Sequence, residues 1–289
     1  MRTYNEMIDL LLGVAESDER IRAVCMNGSR TNPNVRKDPF QDYDIVYIVR
    51  DVHSFVSDTG WIDRFGERII MQTPEKMTLI PPEGDGTFAY LMLFTDGNRI
   101  DLTLCPLERG TTWNQGDPLS VVLLDKDGAL PPLPAPTDRD YWVQKPNQDL
   151  FSDCCNEFWW VSTYVAKGLW RQEFTYAYDH LNVIRAMLLR MLEWTVGIEN
   201  EFRVSVGKHS KYLEQYVDKE RWQLLLSTFP RPTYEDMWRS LLAMAHLFEE
   251  LAQEVAACFS FDYPHTDAEK VKTYLQHIQA LPEDATEIY

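Results

Sequence analysis

The chain has no apolar run approaching the roughly 20 residues of a membrane-spanning helix. Residues 1–9 carry charges where a signal peptide would carry an apolar stretch. Cysteine is scarce: Cys25, Cys105, Cys154, Cys155 and Cys258 are an odd number with no C-x-x-C spacing. That argues against a disulfide framework or a zinc site and fits reduced thiols in a cytoplasm. Internal repeats, low-complexity tracts and basic runs are also missing. Lys and Arg number 28 against 45 Asp and Glu, a formal net charge of −17 spread along the chain. Nucleic-acid binding and docking on an anionic membrane both need a basic face, so neither partner is expected. A small cationic ligand would instead be drawn in by the field of the whole protein.

The chain of 289 residues is 45% hydrophobic and 25% charged, ordinary for a globular protein and long enough for two domains. Residues 4–14 have helical apolar spacing, and residues 21–26 read as a strand that ends in Asn27-Gly28-Ser29. A polar loop, 30–41, leads to a β-branched and aromatic strand at 43–49. Further strands are expected at 68–72, 88–94, 99–104 and 120–124, with Asp96-Gly97-Asn98 as a hairpin turn. The cluster Pro131-Pro132-Leu133-Pro134-Ala135-Pro136 can continue neither a helix nor an inner strand, and reads as a linker. Beyond it the spacing predicts helices over 148–172, 176–195, 210–217, 221–227, 234–259 and 268–280. The expected fold class is therefore α+β. A first domain, 1–137, has a mixed β-sheet flanked by helices, and a second, 138–289, is an all-α bundle.

Three features of the first domain carry chemistry together. Gly28-Ser29 closes a strand with a turn whose N–H groups can form an anion-binding nest. Asp42 and Asp44 open the next strand two residues apart, on one face. Unpaired, such carboxylates repel and one takes up a proton; a hard divalent cation removes the conflict. Asp101 alternates with Ile100 and Leu102 on a later strand, where it is either the polar side of a half-exposed strand or a third metal ligand. Two metal ions held by such a set clamp the attacking and leaving oxygens of a displacement at phosphorus.

Gly-Ser, Asp-x-Asp at a strand start and a later strand Asp resemble the nucleotidyltransferase superfamily related to polymerase β. Asn27 to Asn32, Phe40 to Ile45, Asn98 to Leu104, Val121 to Gly128, Phe158 to Leu169 and Val206 to Leu213 are similar to the aminoglycoside 6-adenylyltransferases that modify streptomycin. The resemblance implies Mg²⁺-dependent transfer of AMP from ATP to a hydroxyl of a cationic aminoglycoside, with release of pyrophosphate and antibiotic resistance as the outcome. The first domain becomes the catalytic nucleotidyltransferase domain and the second the substrate-binding domain, in a cytoplasmic monomer or weak homodimer. Asp42, Asp44 and Asp101 would be the catalytic metal ligands, Asp101 as ligand or general base. Gly28 and Ser29 would hold the β- and γ-phosphates with Arg30 as helper, and Lys167, Lys208 and Lys211 would reach the triphosphate. Trp159, Trp160, Tyr164 and Trp170 suggest a wall for stacking on a guanidinium, Trp170 being the substrate-binding choice. Glu173 and Asp179 are candidates for pairing with the cationic acceptor. Solvated helix ends and aromatic core are the competing readings of these helical residues. The superfamily motifs leave open another small-molecule or protein acceptor, or a non-catalytic nucleotide-binding module.

Overall fold

A computed structural model describes residues 1–81, 84 and 86–289. The chain forms two compact units, Met1–Asp140 and Tyr141–Tyr289. Among the described residues no helix is long and apolar enough to cross a membrane.

The first unit is built on one six-stranded sheet. Helix α1 (Tyr4–Ser17) starts at Thr3, whose hydroxyl accepts from Glu6 N while Glu6 Oε2 accepts from Thr3 N, so two orphan donors are satisfied reciprocally. It buries Met7 and Leu11 against the sheet. The strands are β1 (Ile21–Asn27), β2 (Tyr43–Val49), β3 (Arg68–Gln72), β4 (Phe88–Phe94), β5 (Arg99–Pro106) and β6 (Ser120–Asp125). A short helix, α2 (Val52–Ser57), follows β2. Sheet order is β3-β4-β5-β2-β1-β6; β2 and β5 run parallel and the other pairs antiparallel.

Strand alternation divides the sheet into two faces. Tyr43, Ile45 and Tyr47 of β2 join Tyr90, Ile100 and Leu102 beneath α1, Phe55, Trp61 and Phe65. On the other face Val46 and Ile48 pack with Ala23, Cys25, Cys105 and Trp113. A central strand covered on both sides reads as a continuous apolar run, which is why 43–49 is legible in sequence. Strand β3 has the same apolar composition, yet Ile69, Ile70 and Met71 are exposed because β3 is the sheet edge.

The β4–β5 turn anchors the N-terminus. Gly97 takes φ +84°, and Asp96 accepts from Arg2 Nε at 2.7 Å and from Asn98 Nδ2 at 2.9 Å. Partial burial opposes the charge on Asp96, but hydrogen bonds from Arg2 and Asn98 outweigh it and hold the carboxyl well below the usual range. A depressed folded-state pKa adds stability above the unfolded value of about 3.9, and that stability is lost as pH falls through the folded value. The stability gap between wild type and Asp96→Asn should therefore be full at neutral pH and shrink progressively below about pH 4. Urea unfolding at stepped pH measures it.

The second unit holds α3 (Gln148–Trp170), α4 (Phe174–Glu199), α5 (Lys219–Ser227), α6 (Tyr234–Phe259) and α7 (His265–Ala280). Its core centres on Phe158 and Phe248, stacked with ring centroids 3.8 Å apart. Helices α3 and α4 meet at Gly168, where an added Cβ would lie 2.8 Å from the Tyr176 ring and 3.0 Å from Ala177 Cβ. Gly168→Ala gains helix propensity but forces the two helices apart. A net loss of about 1–3 kcal/mol is expected in chemical unfolding.

One expected helix, 210–217, is absent. His209 and Ser210 both take φ 57°, a left-handed geometry incompatible with starting an α-helix. The chain instead makes two 3₁₀ turns, Lys208–Ser210 and Leu213–Gln215, and Tyr212 N donates back to Val206 O at 2.9 Å. Gly207, at φ +74°, is required there: a Cβ would sit 2.6 Å from the Tyr212 ring.

Candidate active site

Parallel pairing of β2 with β5 sets Asp44 opposite Asp101. Asp42 lies just ahead of β2, so all three carboxylates stand at one end of two adjacent strands. Each offers an oxygen, and these oxygens lie within 4.8 Å of one another, all partly buried. The Asp44 carboxyl is pushed up to about 7, first by burial and then by the charges of Asp42 and Asp101, with Arg99 and Arg30 pulling the other way. The crowding of like charge that raises Asp44 is what a hard divalent cation relieves, and carboxylate oxygens are the donors Mg²⁺ prefers. The residues fit such an ion.

The Gly28-Ser29 turn is built against this cluster. Residues Gly28–Arg30 form a single 3₁₀ turn directly after β1, with Gly28 N donating to Leu119 O at 3.0 Å. Gly28 takes φ +75°, and a Cβ there would fall 2.2 Å from Asp44 Oδ2. Only glycine lets that turn lie against the carboxylate.

Arg30 has partners within the chain that the sequence does not reveal. Its Nε donates to Asp42 O at 2.9 Å and its Nη2 to Gln41 O at 2.5 Å, while the guanidinium stacks 3.7 Å over the Tyr43 ring. Its hydrogen bonds go to the chain's own carbonyls, so it fixes the backbone that presents Asp42. Gln41 adds a second tie, its Nε2 donating to Ser29 O at 3.2 Å. Residue types and spacing do not reveal such carbonyl partners, because the loop between Arg30 and Gln41 decides them.

Arg99 is a site residue that sequence reasoning passed over. Its Nε donates to Asp101 Oδ1 at 2.7 Å and its Nη2 to Asp101 Oδ2 at 2.6 Å, and Nε lies 3.8 Å from Asp42 Oδ2. The signal was available: two residues apart on a strand, Arg99 and Asp101 share a face.

The remaining candidates belong to the helical unit. Lys208 and Lys211 are exposed, but they flank the left-handed turn instead of a helix start. Lys167 is half-buried, its Nζ 4.8 Å from the Tyr164 ring centroid and 5.4 Å from that of Tyr176. The expected aromatic wall is divided. Trp159 is core, Trp160 is exposed and donates to Tyr164 Oη at 2.8 Å, and Trp170 packs on the helical core with its Nε1 donating to Leu281 O at 3.2 Å. Trp170 thus closes the C-terminal segment over the bundle. Glu173 precedes α4 without a side-chain cap, and both it and Asp179 are exposed.

Comparison with known proteins identifies the family of the whole chain. The family model described as streptomycin adenylyltransferase matches residues 1–278. The chain is 48% identical over 276 residues to an aminoglycoside 6-adenylyltransferase of Campylobacter jejuni, covering 95% of each chain. It is 44% identical over 280 residues to the Bacillus subtilis (strain 168) protein of the same name, covering 96% of this chain and 98% of that one. A crystal structure of an aminoglycoside 6-adenyltransferase from Bacillus subtilis is 40% identical, with a TM-score of 0.49, covering 97% of this chain and all of that one.

Proposed function

The chain belongs to the streptomycin adenylyltransferase family and is a nucleotidyltransferase, and from that premise we propose that it transfers AMP from ATP to a hydroxyl of streptomycin. The observation that carries the reading is the gathering of Asp42, Asp44 and Asp101 beside a glycine turn that only a residue without Cβ can form. A non-catalytic nucleotide-binding module has no need of all three carboxylates.

The acceptor oxygen attacks the α-phosphorus, the bond to the bridging oxygen of the β-phosphate breaks, and pyrophosphate leaves. When bound, Mg²⁺ would supply charge neutralisation for the triphosphate. Everything else is positioning by the protein. Asp42 and Asp44 would hold the cation. Asp101 would either complete the ligand set or, as general base, take the proton of the attacking hydroxyl. Ser29 would supply donors to the β- and γ-phosphates, Gly28, its own N–H donating to Leu119 O, would let them come close to the backbone, and Arg30 holds the Asp42 backbone in place. The acidic surface draws in a cationic acceptor, with Lys208, Lys211 and Lys167 as further contacts to phosphate and the exposed Glu173 and Asp179 as contacts to the drug. Adenylylation of streptomycin is the resistance reaction.

Incubation of the purified protein with ATP, Mg²⁺ and streptomycin should release pyrophosphate and yield an adenylylated drug by mass spectrometry, and EDTA should stop both. Release with another aminoglycoside but not streptomycin would keep the chemistry and change the acceptor. No release with any aminoglycoside would remove the assignment.

A further inference from the structure

The carboxylates are part of a longer row. Asn27 of β1 pairs with Asp44 of β2 on one side and with Ser120 of β6 on the other, and Asp44 pairs with Asp101. Directly paired residues share a sheet face. Two residues further along the same strands, Cys25, Val46 and Val122 all pack in the second core cluster, so the face is the same throughout. Ser120, Asn27, Asp44 and Asp101 therefore stand side by side across four strands, next to the apolar patch of Cys25, Val46 and Val122.

Two members of this row lack partners. Asn27 Oδ1 and Ser120 Oγ are both fully buried with no hydrogen bond, and Ser120 is only 2% exposed. Buried polar atoms are ordinarily paired, so two orphans in neighbouring strands beside a carboxylate cluster call for a ligand. Asn27 Oδ1 is an acceptor and Asp44 beside it is another, so what lies there must donate hydrogen bonds. Mg²⁺ gives up its waters reluctantly, and a water on a dication is a strong donor.

We propose that Asn27 and Ser120 are outer-sphere positioning residues of the metal site: Asn27 accepts from a water on the cation held by Asp44, and Ser120, one strand further, orients the Asn27 carboxamide through a second water. The inference rests on the metal reading given above and extends it to two residues outside the Gly-Ser and Asp-x-Asp motifs. Such partners typically change metal affinity by about 10- to 100-fold.

The test is Mn²⁺ titration of the full-length protein without nucleotide, with free Mn²⁺ followed by electron paramagnetic resonance, beside thermal melting without metal. Asn27→Leu should weaken Mn²⁺ binding about tenfold. It should leave the metal-free melting temperature unchanged or higher, because an unpaired polar group has been removed. Asn27→Asp, which keeps an oxygen acceptor, should restore or tighten binding, and Ser120→Ala should weaken it to a smaller extent. Wild-type Mn²⁺ affinity in both Asn27→Leu and Ser120→Ala would overturn the inference. If Asn27→Leu fails to fold, Ser120→Ala decides alone. Asp44→Asn separates the two claims. Lost binding there with unaltered binding in the other two rejects only the outer-sphere role, whereas unaltered binding in Asp44→Asn rejects the metal site itself.

Discussion

Asp44→Asn should abolish adenylyl transfer, with turnover falling on the order of 10²–10³-fold, while the protein stays folded and, without metal, becomes more stable. The two effects have one cause. In wild type the buried Asp44 carboxyl faces Asp42 and Asp101, and burial and repulsion together push it up to about 7. Its ordinary value is 3.8, so between about pH 4 and pH 7 the folded state keeps a proton that the unfolded chain releases. Stability is therefore lost as pH rises through that window, and the loss is complete above pH 7. Asparagine cannot ionise, so the variant's advantage should be absent near pH 4, grow towards pH 7 and then level off. Magnesium should reverse the order, because it binds the folded wild type and stabilises it by mass action, whereas the variant has lost a ligand. Melting curves at pH 5 and pH 8, each with and without Mg²⁺, read all four corners. A variant that melts below wild type at pH 8 without metal would show that Asp44 is held by something other than its charged neighbours.

Local patterns carry far in this chain, and their limits are physical. Strands 43–49, 68–72 and 88–94 end where composition and turn residues say they should. Alternation on 99–104 puts Asp101 on a different face from Ile100 and Leu102, as the burial pattern bears out. Pairing is another matter. That β2 lies parallel to β5, and so brings Asp44 opposite Asp101, is a contact between residues far apart in sequence. Alternation within one strand cannot reveal its partner; the family resemblance implied only that the three carboxylates serve one metal site. Charged side chains are the least legible. Arg30 donates to the carbonyls of Gln41 and Asp42, and Arg99 grips Asp101 with two hydrogen bonds, partners that position in the sequence does not disclose. Long cationic side chains reach several ångströms in any direction, so the fold decides their partners. The left-handed pair His209 and Ser210 defeats periodicity for a similar reason: Tyr212 packed on Gly207 overrides an amphipathic pattern.

Gly28→Ala should be as damaging as removing a metal ligand, although Gly28 has no side chain to lose. Two independent constraints meet at this residue. Its φ of +75° is open to glycine and strained by about 1–2 kcal/mol for alanine. The added Cβ would also lie 2.2 Å from Asp44 Oδ2, well inside contact distance, so the carboxylate has to rotate or the turn has to lift. Asp44 is fixed at its Cα by pairing with Asn27 and Asp101, so its head group or the Gly28–Arg30 turn must give way. Either movement separates the Gly28-Ser29 turn from the carboxylates proposed to hold the metal, and should end turnover. The contact can be isolated with a double-mutant cycle in urea. Gly28→Ala alone should cost both strain and clash. In Gly28→Ala/Asp44→Ala the clash is gone and the strain remains. The double variant should therefore be more stable than the sum of the two single changes predicts, with a coupling of about 1 kcal/mol or more. Strict additivity would mean that the turn is held by its backbone geometry alone, and that the carboxylate of Asp44 does not lean on Gly28.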